Sequence, residues 1–362
     1  MKACIRDTAA AVTAVSAAVA LGACGADAGN GPDGGTAPSI GLLLPDATTA
    51  RWEAQDRPLL EKKIKELCDT CVIEHANARG EVATQQEQMD SMITKGVDAI
   101  VLVAVDGKSL ASSVTEAHAA GIPVIAYDRL AQGPISGYVS FDGKEVGRLQ
   151  GRALLKAMGD GAALPQIVMM NGDPADPNSA LFKEGALSVL RGKVQIGKTY
   201  DTLQWRAETA NMNMSAAIAA LGADTIDGVY AANDGLAGGS ISAMKANKVA
   251  PLPPVTGQDA ELGALRRIVA GDQYMTVFKP FGPEASAGGA MAVAAARREG
   301  LDRVATSEVT PPGGERVPAV LLKPVSVTAD TIKDTVVKEG LHTAQQICTP
   351  RLRPACEEAG LI

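Results

Sequence analysis

The sequence predicts two successive doubly wound α/β units, each a parallel sheet with helices on both faces. Three observations carry this. Short apolar runs alternate with amphipathic stretches of helical period, the alternation restarts after about residue 141, and polar residues recur where the apolar runs stop. At 362 residues the chain is too long for one ordinary core and about right for two.

Residues 40–44 read as the first strand, turned at Pro45-Asp46 into a helix over 52–67. Residues 71–76 read as the second strand, and Val82, Met89, Met92 and Ile93 then share one helical face. The third strand is 99–104, followed by a helix on Leu110, Val114 and Ala117, and the fourth is 124–126. Residues 138–141 read as a further strand before the rhythm restarts. A helix over 144–158 leads to a strand at 166–170, a helix at 182–190, an extended run at 194–200 and a helix at 207–221. Strands at 228–232, 255–256 and 274–278 then alternate with helices ending near 245, 270 and 298, and 319–323 is extended. Such alternation indicates βαβ units.

An Asn or Asp just after a strand is ordinarily a turn former or a helix N-cap. Here Asp128-Arg129, Asn233, Asp259 and Lys279 all stand at strand ends. That periodic placement points to a cleft beyond the carboxyl ends of the strands, where open parallel sheets bind ligands.

The N-terminus reads as a leader. Lys2 and Arg6 precede an Ala-rich apolar run over 8–21, too short for a membrane span and of signal-peptide dimensions. It ends Leu21-Gly-Ala-Cys24, which resembles the lipobox of bacterial lipoproteins. On that reading residues 1–23 are removed and Cys24 carries a lipid that holds the protein at the outer face of the cytoplasmic membrane. An ordinary cleaved signal with an incidental Cys24 is the alternative. Residues 24–38 form a flexible tether. Gly29 to Gly34 within it matches GxGxxG, but with no strand before it and no helix after, the dinucleotide reading fails.

Setting aside Cys4 and Cys24, an exported chain keeps Cys68, Cys71, Cys348 and Cys356 as candidates for two local disulfides. A redox CxxC places its first thiol at a helix N-terminus, whereas Cys68 follows a helical pattern. A zinc site from all four would require the C-terminal segment to reach across the fold. The three histidines, His75, His118 and His342, show no ligand spacing, so no metal or other cofactor is expected. Neither a P-loop, an HExxH pair nor a GxSxG elbow is present. Asp128, Asp176 and Asp259 each have a cationic or amide neighbour expected to keep them ionised, unlike a general acid. No catalytic residue is assigned. Formal charge is −7 and aromatics are 3% of residues, with no basic stripe, so nucleic acid is not an expected partner.

Seven stretches, taken in order, resemble one family. They are Ala50-Arg-Trp-Glu53 with Asp56-Arg57, Ala126-Tyr-Asp-Arg129, Ser140-Phe-Asp142, Pro174-Ala-Asp-Pro-Asn178 with Leu181-Phe182, Ala232-Asn-Asp234, Gly257-Gln-Asp-Ala260 and Thr276-Val-Phe-Lys-Pro280. Over about residues 39–343 the chain resembles the type I periplasmic sugar-binding proteins of ABC importers, and within them the branch that binds D-xylose. Two departures are Pro177, where the family motif has a polar residue, and a shorter segment before Trp205. The resemblance implies two Rossmann-like domains joined by a multi-strand hinge, in the periplasmic-binding-protein-like type I arrangement. These are 39–141 with 280–318, and 142–279 with 319–345, leaving 346–362 as a tail. Crossings are expected near 141–143, 279–280 and 319–324.

The resemblance also implies a sugar site on Arg51, Trp52, Asp128, Arg129, Asp176, Asn178, Trp205, Asn233, Asp259 and Lys279. The chemistry of those side chains suits a sugar. Indole rings cover apolar C–H faces, carboxylates accept from hydroxyls, cations donate, and amides do both. A pentose has about ten heavy atoms and small ligands reach at most roughly 1.5 kcal/mol per atom, so micromolar binding is within range. The implied protein is a monomer that closes on a pentose or hexose and is recognised by an ABC permease. The sugar is D-xylose, with glucose, galactose or ribose as alternatives, and a sugar sensor serving a membrane receptor is the other reading.

Overall fold

The computed structural model describes residues 37–159 and 164–362. The leader, Cys24 and the tether as far as residue 36 lie outside the described residues. In chain order the first run holds β1 (Ser39–Leu44), α1 (Arg57–Leu67), β2 (Val72–Asn77), α2 (Val82–Lys95), β3 (Ala99–Leu102), α3 (Ala111–Ala119), β4 (Val124–Tyr127) and β5 (Gly137–Phe141). The second holds α4 (Gly143–Met158), β6 (Gln166–Asn171), α5 (Pro177–Leu190), β7 (Gln195–Asp201), α6 (Ala207–Leu221), β8 (Gly228–Ala231), α7 (Asp234–Ala246), α8 (Leu262–Val269) and β9 (Thr276–Phe278). The chain returns through α9 (Phe281–Ala296), β10 (Ser307–Val309) and β11 (Val317–Leu322), then β12 (Val325–Val327), α10 (Ala344–Ile347) and α11 (Arg353–Glu358).

The first lobe is a sheet of order β10-β11-β5-β4-β3-β1-β2, parallel except at the β10 edge. Its inner strands β1, β3 and β4 are largely apolar because both faces are covered, whereas the edge strands β2 and β10 carry polar residues. On β1, Leu42 and Leu44 pack with α1 and α9, while Leu43 packs with α2 and α3 on the other side. In the second lobe β7, β6 and β8 are parallel. The strand expected at 255–256 is a single bridge, Val229 to Val255. Pro253 and Pro254 lack amide hydrogens, and the Thr256 hydroxyl takes a rung by accepting from Ala231 N at 2.9 Å. β9 still bonds to this segment, Val277 N donating to Gly257 O at 3.1 Å, and β12 pairs antiparallel with β9.

Helix α5 begins earlier than its apolar period predicts. Asp176 caps α5 by accepting from Asn178 N at 2.9 Å, and Pro177 fits its first turn. The chain crosses between lobes after β5, after β9 and after β11. The boundary expected at 318/319 is corrected to follow Leu322, since Ala319 to Leu322 pair with β5 and Ala319 and Val320 are buried in the first lobe. Lys323-Pro324 then ends the strand.

The expected tail at 346–362 is also corrected. Ile347, Cys356 and Leu361 are buried against α8, β9 and β12, so this segment belongs to the second lobe's core. Disulfides join Cys68 to Cys71, between α1 and β2, and Cys348 to Cys356, between α10 and α11. Among the described residues no helix is long and apolar enough to cross a membrane.

Candidate functional site

The loops after the strands meet in one pocket, and all ten residues singled out from the sequence line it. Arg51 and Trp52 follow β1, and Trp52 opens a π-helical turn over Trp52–Asp56 that precedes α1. Asp128 and Arg129 follow β4. Asp176 and Asn178 stand at the start of α5, Trp205 follows β7, Asn233 follows β8 and Lys279 follows β9. Asp259 ends the irregular segment after Val255. Thr49, Phe182 and Gln258 also line the pocket.

Local backbone geometry aims these groups. Asp128, Trp205 and Asp259 have φ of 57°, 54° and 92°, a region that side chains other than glycine occupy at a cost. In each lobe the turn is made the same way. Asp128 N donates to Val139 O at 2.7 Å, and Asp259 N donates to Val277 O at 2.8 Å, across to the next strand. The Asp128 carbonyl is held in turn by the hydroxyls of Ser140 at 2.6 Å and Tyr138 at 3.1 Å. Trp205 lies against Gly172, where any Cβ would overlap the indole.

The first lobe supplies a preformed half of the pocket. Arg51 Nη1 donates to Asp128 Oδ2 at 2.8 Å, and its guanidinium lies 4.3 Å from the ring centroids of both Trp52 and Phe281. Arg51 also meets Asp56 through two bonds of 2.8 and 2.7 Å, and Glu284 at 2.7 Å. Lys279, at a crossing, lies 3.3 Å from Asp128 and 3.1 Å from Asp259.

The second lobe closes onto this half directly. Asn178 Nδ2 donates to Asp128 Oδ1 at 2.9 Å, and Asp176 Oδ2 pairs with Arg129 Nε at 2.7 Å. Trp205 Nε1 donates to Asp176 at 3.2 Å, so the indole also orients that carboxylate. Asn233 acts as the α7 N-cap, Oδ1 accepting from Leu236 N at 2.9 Å, and also lines the pocket. Trp52 Nε1 and Gln258 Oε1 are buried with no hydrogen-bond partner in the protein.

A sequence profile described as the periplasmic binding protein domain matches residues 40–300. The chain is 35% identical over 314 residues to the D-xylose-binding periplasmic protein of Haemophilus influenzae, covering 85% of this chain and 91% of that one. The chain belongs to the periplasmic sugar-binding proteins. It is 32% identical to the multiple sugar-binding periplasmic receptor of Rhizobium radiobacter, covering 85% of this chain and 92% of that one. Among solved structures it resembles an ABC transporter solute-binding protein of Clostridium phytofermentans with bound β-D-glucose. There the TM-score is 0.78 and the identity 30%, covering 85% of this chain and 99% of that one. As a periplasmic sugar-binding protein it is an exported component of ABC transport and not an enzyme.

Electrostatics in this binding protein divide its carboxylates. Burial alone would raise the Asp128 carboxyl, but Lys279, Arg51 and Arg129 outweigh it and hold the group well below the usual carboxylate range. Asp176 departs from expectation: burial raises its pKa, and Arg129 offsets this only in part. Burial likewise raises Asp56 and Glu284 against the pull of Arg51. Glu284 and Asp56 were not assigned to the site from sequence. The available signal for Glu284 was a lone acid in the otherwise uncharged helix FGPEASAGGAMAVAAA.

Proposed function

We propose that this protein captures one neutral monosaccharide, D-xylose foremost, between two closing lobes and delivers it to the permease of an ABC importer. The observation that carries this reading is the charge balance of a buried, amphipathic lining. The cations Arg51, Arg129 and Lys279 face the carboxylates Asp128, Asp176 and Asp259, with Trp52 and Trp205 beside them. Such a lining offers donors and acceptors to hydroxyls while giving an anionic sugar no net attraction. Relatives named for D-xylose, at 35% identity, support the choice of sugar. Glucose, galactose and ribose are the alternatives. The three crossings near the pocket act as a hinge, and a sugar touching both lobes favours the closed form by its differential affinity.

A sensing role beside transport is the second reading, favoured by the relative named as a receptor. In both, the protein acts as a monomer tethered through a lipid on Cys24. Cys24→Ala should move it from the membrane to the soluble fraction, and an unchanged distribution counts against the anchor. The reading as a whole is tested by a thermal-shift panel of neutral monosaccharides and sugar acids. A ligand that binds only the folded state raises its melting temperature. D-xylose or a related aldose should do so and sugar acids should not; no response to any neutral monosaccharide contradicts it.

A further inference from the structure

Arg51 has five N–H donors, and the protein takes four of them. Asp56 accepts from Nε and Nη2, Glu284 from the second Nη2 hydrogen, and Asp128 from Nη1. One Nη1 hydrogen remains, on the side of the pocket where Asp259 Oδ1 lies 3.9 Å away. The guanidinium plane is fixed further by Trp52 and Phe281, each at 4.3 Å. Glu284 is fully buried in the first turn of α9, four residues after Pro280, and Glu284 Oε1 has no partner in the protein. Asp56 is in addition held by the Tyr127 hydroxyl at 2.8 Å.

Resting on the sugar-binding reading above, we propose that Glu284 is a positioning residue. It locks Arg51 so that one N–H of Arg51 and the carboxylate of Asp128 are presented to the sugar before the lobes close. Glu284, Arg51, Asp56 and Asp128 all belong to the first lobe, so this arrangement needs no contact from the second. Without Glu284 the guanidinium keeps its bidentate pair with Asp56 but gains freedom to turn about it, and the Arg51–Asp128 pair loses its fixed geometry. A merely neutralising role for Glu284 would be felt in folding stability and not in affinity through Arg51.

The two roles separate in a double-mutant cycle read by titration calorimetry with D-xylose and by thermal melting without sugar. Glu284→Ala should weaken binding about tenfold, the size that follows loss of one charge-assisted hydrogen bond. Glu284→Gln, which keeps an acceptor oxygen without the charge, should fall between Glu284→Ala and the wild type. In the Arg51→Ala background, adding Glu284→Ala should weaken binding no further. Equal affinity in Glu284→Ala and wild type, or the same loss with and without Arg51, overturns the proposal. Should the alanine variant fail to fold, Glu284→Gln decides: weaker binding at an unchanged melting temperature supports it, and wild-type affinity overturns it. A wild-type protein that binds no neutral monosaccharide overturns instead the reading on which this rests.

Discussion

Asp128 accepts hydrogen bonds through both its carboxylate and its carbonyl. Its carboxylate meets Arg51, Lys279 and Asn178, and its carbonyl meets Ser140, Tyr138 and Asn178. Removing the side chain leaves two buried cations short of a counter-ion, and breaking a buried pair in this way costs about 3–5 kcal/mol. Asp128→Ala therefore confuses lost binding with lost stability. Asp128→Asn removes the same charge but keeps the shape and tolerates the left-handed backbone, so it should abolish sugar binding with a smaller loss of stability than alanine, the protein still folded by circular dichroism and binding read by calorimetry. The sign of the pH effect follows from the depressed carboxyl. Its contribution is complete above the ordinary carboxylate range, about pH 4, and is lost only as pH falls through the lower folded value. Below about pH 4 the wild type should lose stability more steeply than Asp128→Asn, and parallel acid titrations would contradict this. Arg51, Trp52, Asp176, Asn178 and Trp205 were assigned through the family resemblance, and Asp128, Arg129, Asn233, Asp259 and Lys279 were legible because polar groups stand out after apolar strands. Asp56 and Glu284 were not, because they touch Arg51 rather than the pocket and their helices gave them no strand-end position.

At the scale of elements, periodicity located the helices and most strands because both faces of each sheet are covered by apolar residues. It failed where side chains substitute for the ladder, as Thr256 does, and where a cap or proline starts a helix ahead of its apolar stripe, as Asp176 and Pro177 do. The start of α8 gives an element-level prediction. Glu261 lies beside Asp234, whose Oδ2 accepts from Glu261 N at 3.0 Å. Burial and the Asp259 carboxylate push the Glu261 carboxyl up to about 7, with Arg267 opposing. An acid whose folded pKa is raised binds its proton more tightly when folded, so stability falls as pH rises from the ordinary glutamate value through about 7. Melting temperature should decline across that window in the wild type and less so in Glu261→Gln. Identical slopes would show that Glu261 does not titrate there.

For the whole molecule, two α/β lobes were legible from the restart of the pattern after β5. The third crossing was expected near 319–324 and lies after Leu322, but the lobe of Ala319 to Leu322 was not legible: they were placed with the second lobe, and pairing with β5 puts them in the first. Nor was the packing of 346–362, whose few apolar residues, Ile347 and Leu361 among them, show no period yet complete the second core. Direct bonds between the lobes are few. Asn178 with Asp128 and Asp176 with Arg129 meet across the pocket, and Gln204 reaches Gly80 O at 3.4 Å at its edge. On the proposed reading, closure on a sugar adds contacts from both sides at once. The chain has two tryptophans, and both line this pocket, one from each lobe. Intrinsic fluorescence titrated with D-xylose therefore reads the central claim directly. D-xylose or a related aldose should give a saturable change that Asp128→Asn abolishes; a spectrum unmoved by every neutral monosaccharide would contradict sugar capture in this pocket.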